Sequence, residues 1–180
     1  MKKLILLLLL ILLPISSCSA KMIYDNSGHI SFETDNQWYY LPMRGDAVTA
    51  PLLCIGLDKD TFIKFSQGLM PMRYKSMRSM SAEEKSILKD SIIQFHSNLL
   101  LSKGYTTHLN KAEALDNCIS AGFTCQKDNM TYKVFVMFAI KDYYAYSLSI
   151  AGNSQTILSA FETGKTLKID GESFFDWITY

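Results

Sequence analysis

The sequence lacks an excess of charge of either sign. Its 180 residues carry 18 lysines and arginines against 17 aspartates and glutamates, a formal net charge of +1 at pH 7. Without Lys2 and Lys3, which lie in a segment interpreted below as a removed signal, 16 basic residues face the 17 acidic ones. The basic residues are also scattered rather than clustered. A chain with this balance has no field that would gather nucleic acid, so nucleic acid is excluded as a partner.

The sequence is also poor in the patterns that carry out catalysis or bind metals. It has three histidines, His29, His96 and His108, and none lies within metal-ligand spacing of another or of a cysteine. It contains neither a Gly-x-Ser-x-Gly nucleophile motif nor a glycine-rich phosphate loop. The adjacent acids Glu83 and Glu84 lie at the start of a predicted helix, where the helix dipole favours acids. These absences predict a protein that is not an enzyme and has no metal site.

No apolar run is long enough to span a membrane. The longest covers ten residues, 4–13, whereas a transmembrane helix needs about 20. Met1-Lys2-Lys3 precedes this run, and Pro14-Ile15-Ser16-Ser17-Cys18 follows it. A short cationic start, a short apolar core and small residues before a cleavage site are typical of a secretory signal. We therefore predict that residues 1–17 are a signal peptide.

The end of this signal resembles the bacterial lipobox. The tetrapeptide Ile15-Ser16-Ser17-Cys18 has the small residues and the cysteine of that motif. The resemblance implies cleavage before Cys18, which would carry a diacylglyceryl group and an amide-linked acyl chain, and no other cofactor is predicted. Several chains give anchoring far stronger than one acyl chain does. Ser19 is not the aspartate associated with inner-membrane retention, which favours an outer membrane facing the periplasm; a Gram-positive surface remains open.

The rest of the chain has the size of one domain. Removal of the signal leaves 163 residues, within the usual range of roughly 100–200 for a single domain. Residues 18–28 are mostly small and polar, so we predict a lipidated tether there and a single domain over 29–180.

Three cysteines remain after Cys18: Cys54, Cys118 and Cys125. Because the number is odd, at least one thiol is free or pairs outside the chain. If Cys118 and Cys125 share one strand, they are about 23 Å apart and on opposite faces. A disulfide needs Cα atoms within about 7 Å, so this pair is disfavoured. Cys125 is predicted to be a buried small hydrophobe, and a pair between Cys54 and either partner stays open.

Alternating apolar and polar residues predict a sheet. A hairpin with a three-residue loop at 58–60 and a meander of the last three strands indicate antiparallel pairing. The predicted strands cover residues 29–34, 37–41, 52–57, 61–65, 105–109, 118–126, 132–140 and 144–150.

Two helices are predicted between and after these strands. Ser81 and Glu84 form a capping-box pattern that opens a helix over 82–103. Ser154 is predicted to cap a second helix over 155–163, which Gly164 ends. The apolar tail beyond Gly164 is expected to pack back on the sheet. The predicted fold is α+β, a largely antiparallel sheet with helices packed on its faces. The core stripe predicted for the first helix consists of Ile87, Leu88, Ile92, Phe95, Leu99 and Leu100.

This layout resembles the PsbP/Mog1-like group, which includes small exported bacterial lipoproteins. The resemblance rests on the opening strand and turn from Ile30 to Trp38, on the strand segment Ile119 to Gly122, and on Tyr144 to Leu148 before a helix carrying Phe161. The chain departs from the group in lacking a proline just before Trp38 and in its longer tail. The resemblance implies a layer sandwich that serves as a docking or accessory protein without a shared catalytic set.

The loop over 66–80 is rich in methionine and basic residues. Met70, Met72, Met77 and Met80 alternate with basic residues that include Arg73. Three interpretations stay open: the methionines fill gaps beneath a loop, they bind Cu(I) through soft thioether sulfur, or they form an adaptable partner surface. Tyr143, one of several outward tyrosines, is a further candidate contact.

The sequence thus yields ranked hypotheses about function. The first is a membrane-anchored, exported, non-enzymatic docking or accessory module of the cell envelope with an envelope protein as partner. The second is a lipoprotein that binds a small ligand or Cu(I), with a pocket between sheet and helix. The third is an enzyme of unrecognised type.

Overall fold

A computed structural model describes residues 20–42, 52–70 and 74–179. The predicted signal peptide and Cys18 lie outside these residues, as do Met72 and Arg73. In chain order the elements are β1 (Lys21–Tyr24), β2 (Ile30–Thr34), β3 (Tyr39–Tyr40), β4 (Leu53–Gly56), β5 (Phe62–Leu69), a 3-10 turn (Met77–Ser79), α1 (Ala82–Ser102), β6 (Thr106–Ala114), β7 (Cys118–Lys127), β8 (Met130–Lys141), β9 (Tyr144–Asn153), α2 (Ile157–Lys165), β10 (Lys168–Ile169), β11 (Glu172–Ser173) and α3 (Phe174–Thr179).

The strands form two antiparallel sheets. The large sheet has seven strands in the order β3-β4-β5-β9-β8-β7-β6, and the small one has four in the order β1-β2-β10-β11. The long strands β7, β8 and β9 pair in a continuous meander, as the alternation predicts. The predicted α+β class, with a largely antiparallel sheet and helices on its faces, is confirmed.

One face of the large sheet, which we call the closed face, is covered over β4, β5, β8 and β9. The small sheet, α2 and α3 pack against it and enclose the main core. The tail packs back on this face as predicted, with Phe174 and Leu167 fully buried. Large buried side chains of this core are Phe32, Trp38, Leu53, Ile55, Ile63, Phe65, Leu148, Ile150 and Phe174.

The predicted tether is wrong over residues 21–24, which form strand β1. Its main chain pairs with β2, with Lys21 opposite Thr34 and Tyr24 opposite Ser31. Only Ile23 of this strand is buried, and its side chain joins the main core. A strand that buries one side chain has almost no apolar pattern, so main-chain pairing rather than composition determines its structure.

The opposite face of the large sheet, which we call the open face, is covered only in part. α1 lies against β6 and β7 and begins at the predicted capping box, where the Ser81 hydroxyl accepts from the Glu84 amide at 3.2 Å. The predicted core stripe of α1 is wrong in part, because no residue of this helix is buried. Ile92 and Leu100 pack on the sheet, whereas Phe95 is 63% exposed. The apolar side of α1 is therefore wider than the surface that one helix can bury against the sheet.

The second helix begins two residues later than predicted, and Ser154 does not cap it. The Asn153 side-chain oxygen instead accepts from the amides of Gln155 at 2.9 Å and Thr156 at 3.2 Å. Gly164 does not end the helix, which continues to Lys165. Gly164 is buried against the sheet, and a Cβ there would lie 2.5 Å from the Ile150 Cδ1 atom. Close packing, not helix termination, therefore requires this glycine.

The cysteines do not pair. Cys54, Cys118 and Cys125 are free and buried. Cys54 lies in β4 and Cys118 and Cys125 in β7, and since three strands separate β4 from β7 the gap is roughly 19 Å, far beyond disulfide reach. The hypothesis of a Cys54 disulfide is therefore wrong. Cys125 is fully buried, as predicted, and burial raises the pKa of the Cys54 thiol to about 11.

The contact between Gly164 and Ile150 yields a prediction about stability. Gly164→Ala should lower the free energy of unfolding by about 1 kcal/mol. A Cβ 2.5 Å from the fully buried Ile150 should cost about 2 kcal/mol of overpacking, and the better helix propensity of alanine returns about 1 kcal/mol. The control is Gly68→Ala, since a Cβ at Gly68 meets nothing within 4 Å. Urea unfolding monitored by circular dichroism measures both variants. Equal stability of Gly164→Ala and wild type would contradict the packing role.

Candidate functional site

Three exposed apolar side chains cluster at one end of the large sheet. Leu69, Tyr143 and Tyr144, which we call the sheet-end surface, are 80%, 42% and 39% exposed. Leu69 ends β5 directly opposite Tyr144, the first residue of β9. The Met70 amide donates to the Tyr143 carbonyl at 2.9 Å, which ties the end of β5 to the turn between β8 and β9. The surface is therefore built on paired strands.

Tyr143 adopts a backbone conformation that its residue type disfavours. Together with Asp142 it forms the two-residue turn between β8 and β9, with φ values of 50° at Asp142 and 69° at Tyr143. Such turns favour Asn, Asp and Gly, because a Cβ in this region is strained by about 1 kcal/mol or more. The matching turn between β7 and β8 has the favoured residues Asp128 and Asn129. Tyr143 is thus an exposed tyrosine in a strained position, which makes it a candidate contact residue.

The methionine loop contains buried methionines and also residues that lie outside the described ranges. Met77 and Met80 are 1% and 8% exposed and join an apolar cluster with Tyr74, against which Met70 packs. This burial confirms the packing interpretation for these methionines. Met77 and Met80 are wrong as partner contacts because their side chains are covered, and Met72 and Arg73 stay predictions.

A cleft lies on the open face where α1 leaves β5 and β9 uncovered. It has a volume of about 520 Å³, within the range of small-molecule sites. Its floor is a polar ladder, in which Lys64 of β5 lies opposite Ser149 of β9 and Ser66 lies opposite Ser147. Its apolar walls are Ile92, Phe95, Leu99 and Phe138, with His96 among them.

A smaller pocket adjoins the cleft toward the end of α1. It encloses about 110 Å³ and shares Lys64, His96, Leu99 and Ser149 with the cleft. Its wall is largely apolar, and it also carries charged and phenolic groups. The residues that line only this pocket are Asp60, Phe62, Leu100, Lys103, Tyr105, Cys125, Tyr132, Val134 and Ala151.

The two lysines of this region lack acidic partners. Burial and the positive charge of Lys64 lower the pKa of the Lys103 ammonium below its ordinary value. Within the described part of the chain, neither lysine forms a salt bridge. Asp60 is the one described carboxylate that lines either space. The lining thus carries one more positive than negative charge.

His96 faces both spaces. Its ring packs edge-on against Phe95 at 5.2 Å between centroids. Burial lowers the pKa of the His96 imidazole below its ordinary value. Since that ordinary value is about 6.5, the ring is neutral at pH 7, when one nitrogen donates and the other accepts a hydrogen bond.

The described residues lack two further features. No group of three or more His, Cys, Asp or Glu side chains within 20–42, 52–70 and 74–179 could hold a metal ion. None of the helices in these ranges is long and apolar enough to cross a membrane.

The sequence contained a signal for the cleft that residue-by-residue reasoning missed. Polar residues recur at alternate positions of β5 (Lys64, Ser66) and β9 (Ser147, Ser149), so each strand has one polar side. The sequence does not reveal that these strands are neighbours, because β5 and β9 are far apart along the chain.

The overall structure is similar to the solution structure of cyanobacterial PsbP (CyanoP) from Synechocystis sp. PCC 6803. The TM-score is 0.59 at 9% sequence identity, over 87% of this chain and 95% of that chain. The chain has a PsbP-like fold. At this identity the similarity establishes the fold alone, which confirms the predicted resemblance at that level.

A crystal structure from Bacteroides thetaiotaomicron VPI-5482 is also similar, with a TM-score of 0.47 and 13% identity over 85% of this chain and 50% of that chain. No protein-family model matches the chain. A search of curated proteins finds no match either.

The strained turn yields a prediction that separates folding from function. Tyr143→Asn should raise the free energy of unfolding by about 1 kcal/mol, because asparagine tolerates the left-handed conformation. The matched control is Tyr144→Asn, which changes a similarly exposed tyrosine in a strand and should destabilise the domain, since asparagine disfavours strands. Urea unfolding measures both. A loss of stability in Tyr143→Asn would mean that the Tyr143 side chain serves the fold.

Proposed function

We propose that this protein is an exported lipoprotein, anchored through lipid on Cys18, that acts as a non-enzymatic docking or accessory module in the cell envelope. The observation that carries the proposal is the sheet-end surface, where Tyr143 is exposed in a strained turn beside Leu69. Exposed tyrosines are effective interface anchors, because they bury a large area with few rotatable bonds. The partner proposed for this surface is an envelope protein.

The PsbP-like fold supports the accessory role by analogy only. The similar solved structure is named as a cyanobacterial PsbP, and the PsbP/Mog1-like resemblance implies docking rather than chemistry. The proposed location is an outer membrane, with the domain facing the periplasm.

The position of β1 supports an orientation for the anchored domain. β1 begins at Lys21, so at most about 10 Å of chain separates it from Cys18. The Lys21 ammonium donates to the Trp38 carbonyl at 3.3 Å, next to Tyr39 of β3. Tyr39 belongs to the row of residues that contains Phe62, at the start of β5.

The sheet-end surface lies at the other end of the same strand. Leu69 ends β5, and the eight residues of this strand extend about 23 Å from Phe62 to Leu69. An anchor near Lys21 would therefore hold the sheet-end surface away from the membrane, where a periplasmic partner can reach it.

One alternative has an observation in its favour. The cleft on the open face favours a lipoprotein that binds a small ligand, because a pocket between sheet and helix is what that hypothesis predicts. Cu(I) binding is less favoured, since Met77 and Met80 pack in an apolar cluster.

In-cell crosslinking followed by mass spectrometry tests the docking role. Wild-type protein should capture a specific envelope partner, and both Leu69→Ser and Tyr143→Asn should reduce that capture about tenfold or more, since interface anchors contribute about 2 kcal/mol or more each. Cys18→Ala should abolish capture by removing the anchor.

The matched control is Leu158→Ser, which removes a leucine of α2 that is 75% exposed and should leave capture unchanged. Equal capture by wild type and the two sheet-end variants would contradict docking at this surface. Equal capture by Cys18→Ala would contradict the need for an anchor.

A further inference from the structure

The cleft and its adjoining pocket combine a polar floor, apolar walls and an excess of positive charge. The long apolar side chains of α1 are exposed beside the floor, with Phe95 63% and Leu99 39% exposed. Beneath them lies the ladder of Lys64, Ser66, Ser147 and Ser149. An apolar core would place aliphatic side chains at these floor positions, as β8 does beside them with Val136.

The positive charges converge at one place. Lys64 comes from β5 and Lys103 follows the end of α1, yet both line the adjoining pocket. The two ammonium groups repel each other, and no described carboxylate forms a salt bridge with either. A bound anion would relieve the repulsion and form charge-assisted hydrogen bonds with both lysines.

We propose that this cleft binds a single-chain anionic amphiphile, a molecule with a carboxylate or phosphate head and one apolar tail. The head lies between Lys64 and Lys103, within reach of the Ser149 hydroxyl and His96. The tail lies along the apolar walls of Phe95 and Leu99.

The positive charge of the lining favours an anionic ligand over a neutral or a cationic one. A neutral apolar ligand would leave both ammonium groups without an anionic partner, although Lys64 lies over the Phe62 ring at 4.9 Å from its centroid, and a cationic ligand would add to their repulsion. Asp60 lines the adjoining pocket but offsets only one of the two positive charges. The site goes beyond docking at the sheet-end surface, and its test involves no protein partner.

Binding is tested on a chain of residues 19–180, which contains every element of the described fold. Circular dichroism first establishes that this chain is folded. Titration calorimetry then measures four probes: laurate, dodecyl phosphate, dodecyltrimethylammonium and inorganic phosphate. Laurate and dodecyl phosphate separate a carboxylate from a phosphate head, dodecyltrimethylammonium reverses the charge, and inorganic phosphate tests a head without a tail.

At least one of the two anionic amphiphiles should bind saturably, at least tenfold more tightly than dodecyltrimethylammonium or inorganic phosphate. The double variant Lys64→Met/Lys103→Met should lose at least tenfold in affinity. The control Lys165→Met/Lys168→Met removes the same charge from exposed positions outside the cleft and should bind as wild type does.

If the double variant does not fold, nuclear magnetic resonance of the wild-type chain tests where the ligand binds. Anionic amphiphile should shift the amide signals of His96, Ser147 and Ser149, which line the cleft. Equal binding of the cationic probe, unchanged affinity in the folded double variant, or signal shifts centred elsewhere would overturn the proposal.

Discussion

The structure depends on an imbalance between a wide sheet and the elements available to cover it. Seven strands create two broad faces, and each must be buried against something or made polar. The small sheet, α2 and α3 together cover the closed face over β4, β5, β8 and β9, whereas α1 and the segment with Tyr74, Met77 and Met80 cover part of the open face. One helix about 10 Å wide covers two or three strands at most. Beyond its reach, β5 and β9 therefore carry polar side chains on that face at Lys64, Ser66, Ser147 and Ser149.

This imbalance explains features that would otherwise be unrelated. On the open face, Lys64, Ser149, Val136 and Ala121 lie side by side in one row across β5, β9, β8 and β7. Lys64 and Ser149, which lie beyond the helix, are polar, whereas Val136 and Ala121, which lie nearer to it, are apolar. The apolar stripe of α1 is wider than the helix surface that contacts the sheet. Phe95, at the edge of this stripe, therefore extends over the uncovered strands. The cleft is the space between that overhang and the polar floor. The candidate binding site thus lies at the edge of the area of sheet that the helix covers.

The closed face has the opposite character. Its aromatic side chains pack edge-to-face, for example Phe65 on Phe174 at 5.9 Å between centroids. Gly164 allows α2 to approach Ile150 so closely that a methyl group would not fit. This face is the rigid support on which the sheet-end surface is held. Tyr143 can occupy a strained turn there because the long paired strands β8 and β9 determine the turn's geometry.

The sequence predicted the elements whose signals are local. The capping box at Ser81 and the alternation of β8 and β9 lie in short windows, so the long helix and the meander were predictable. β1 was missed because only Ile23 is buried and the rest of its stability comes from pairing with β2. The pattern of α1 predicted an apolar stripe correctly, but the amount of sheet available to cover it is a tertiary property.

The candidate sites were predictable to different degrees. Tyr143 could be selected as an outward tyrosine, but its strain depends on the two-residue turn between β8 and β9, which the predicted strand ends at Ile140 and Tyr144 do not define. For Met77 and Met80 the sequence left core packing, Cu(I) binding and partner contact open, and the structure places both in the core. The cleft could not be predicted, because Lys64 and Ser149 become neighbours only through the pairing of β5 with β9.

Thiol labelling tests the open face most directly, since the three described cysteines are buried and give a low background. In a folded chain of residues 19–180, Ser147→Cys should react with a small maleimide at a rate typical of an accessible thiol. Leu148→Cys, one residue away on the closed face, should react only when the domain unfolds. Protection of Ser147→Cys to the same extent as Leu148→Cys would contradict the account, because it would mean that both faces of the sheet are covered.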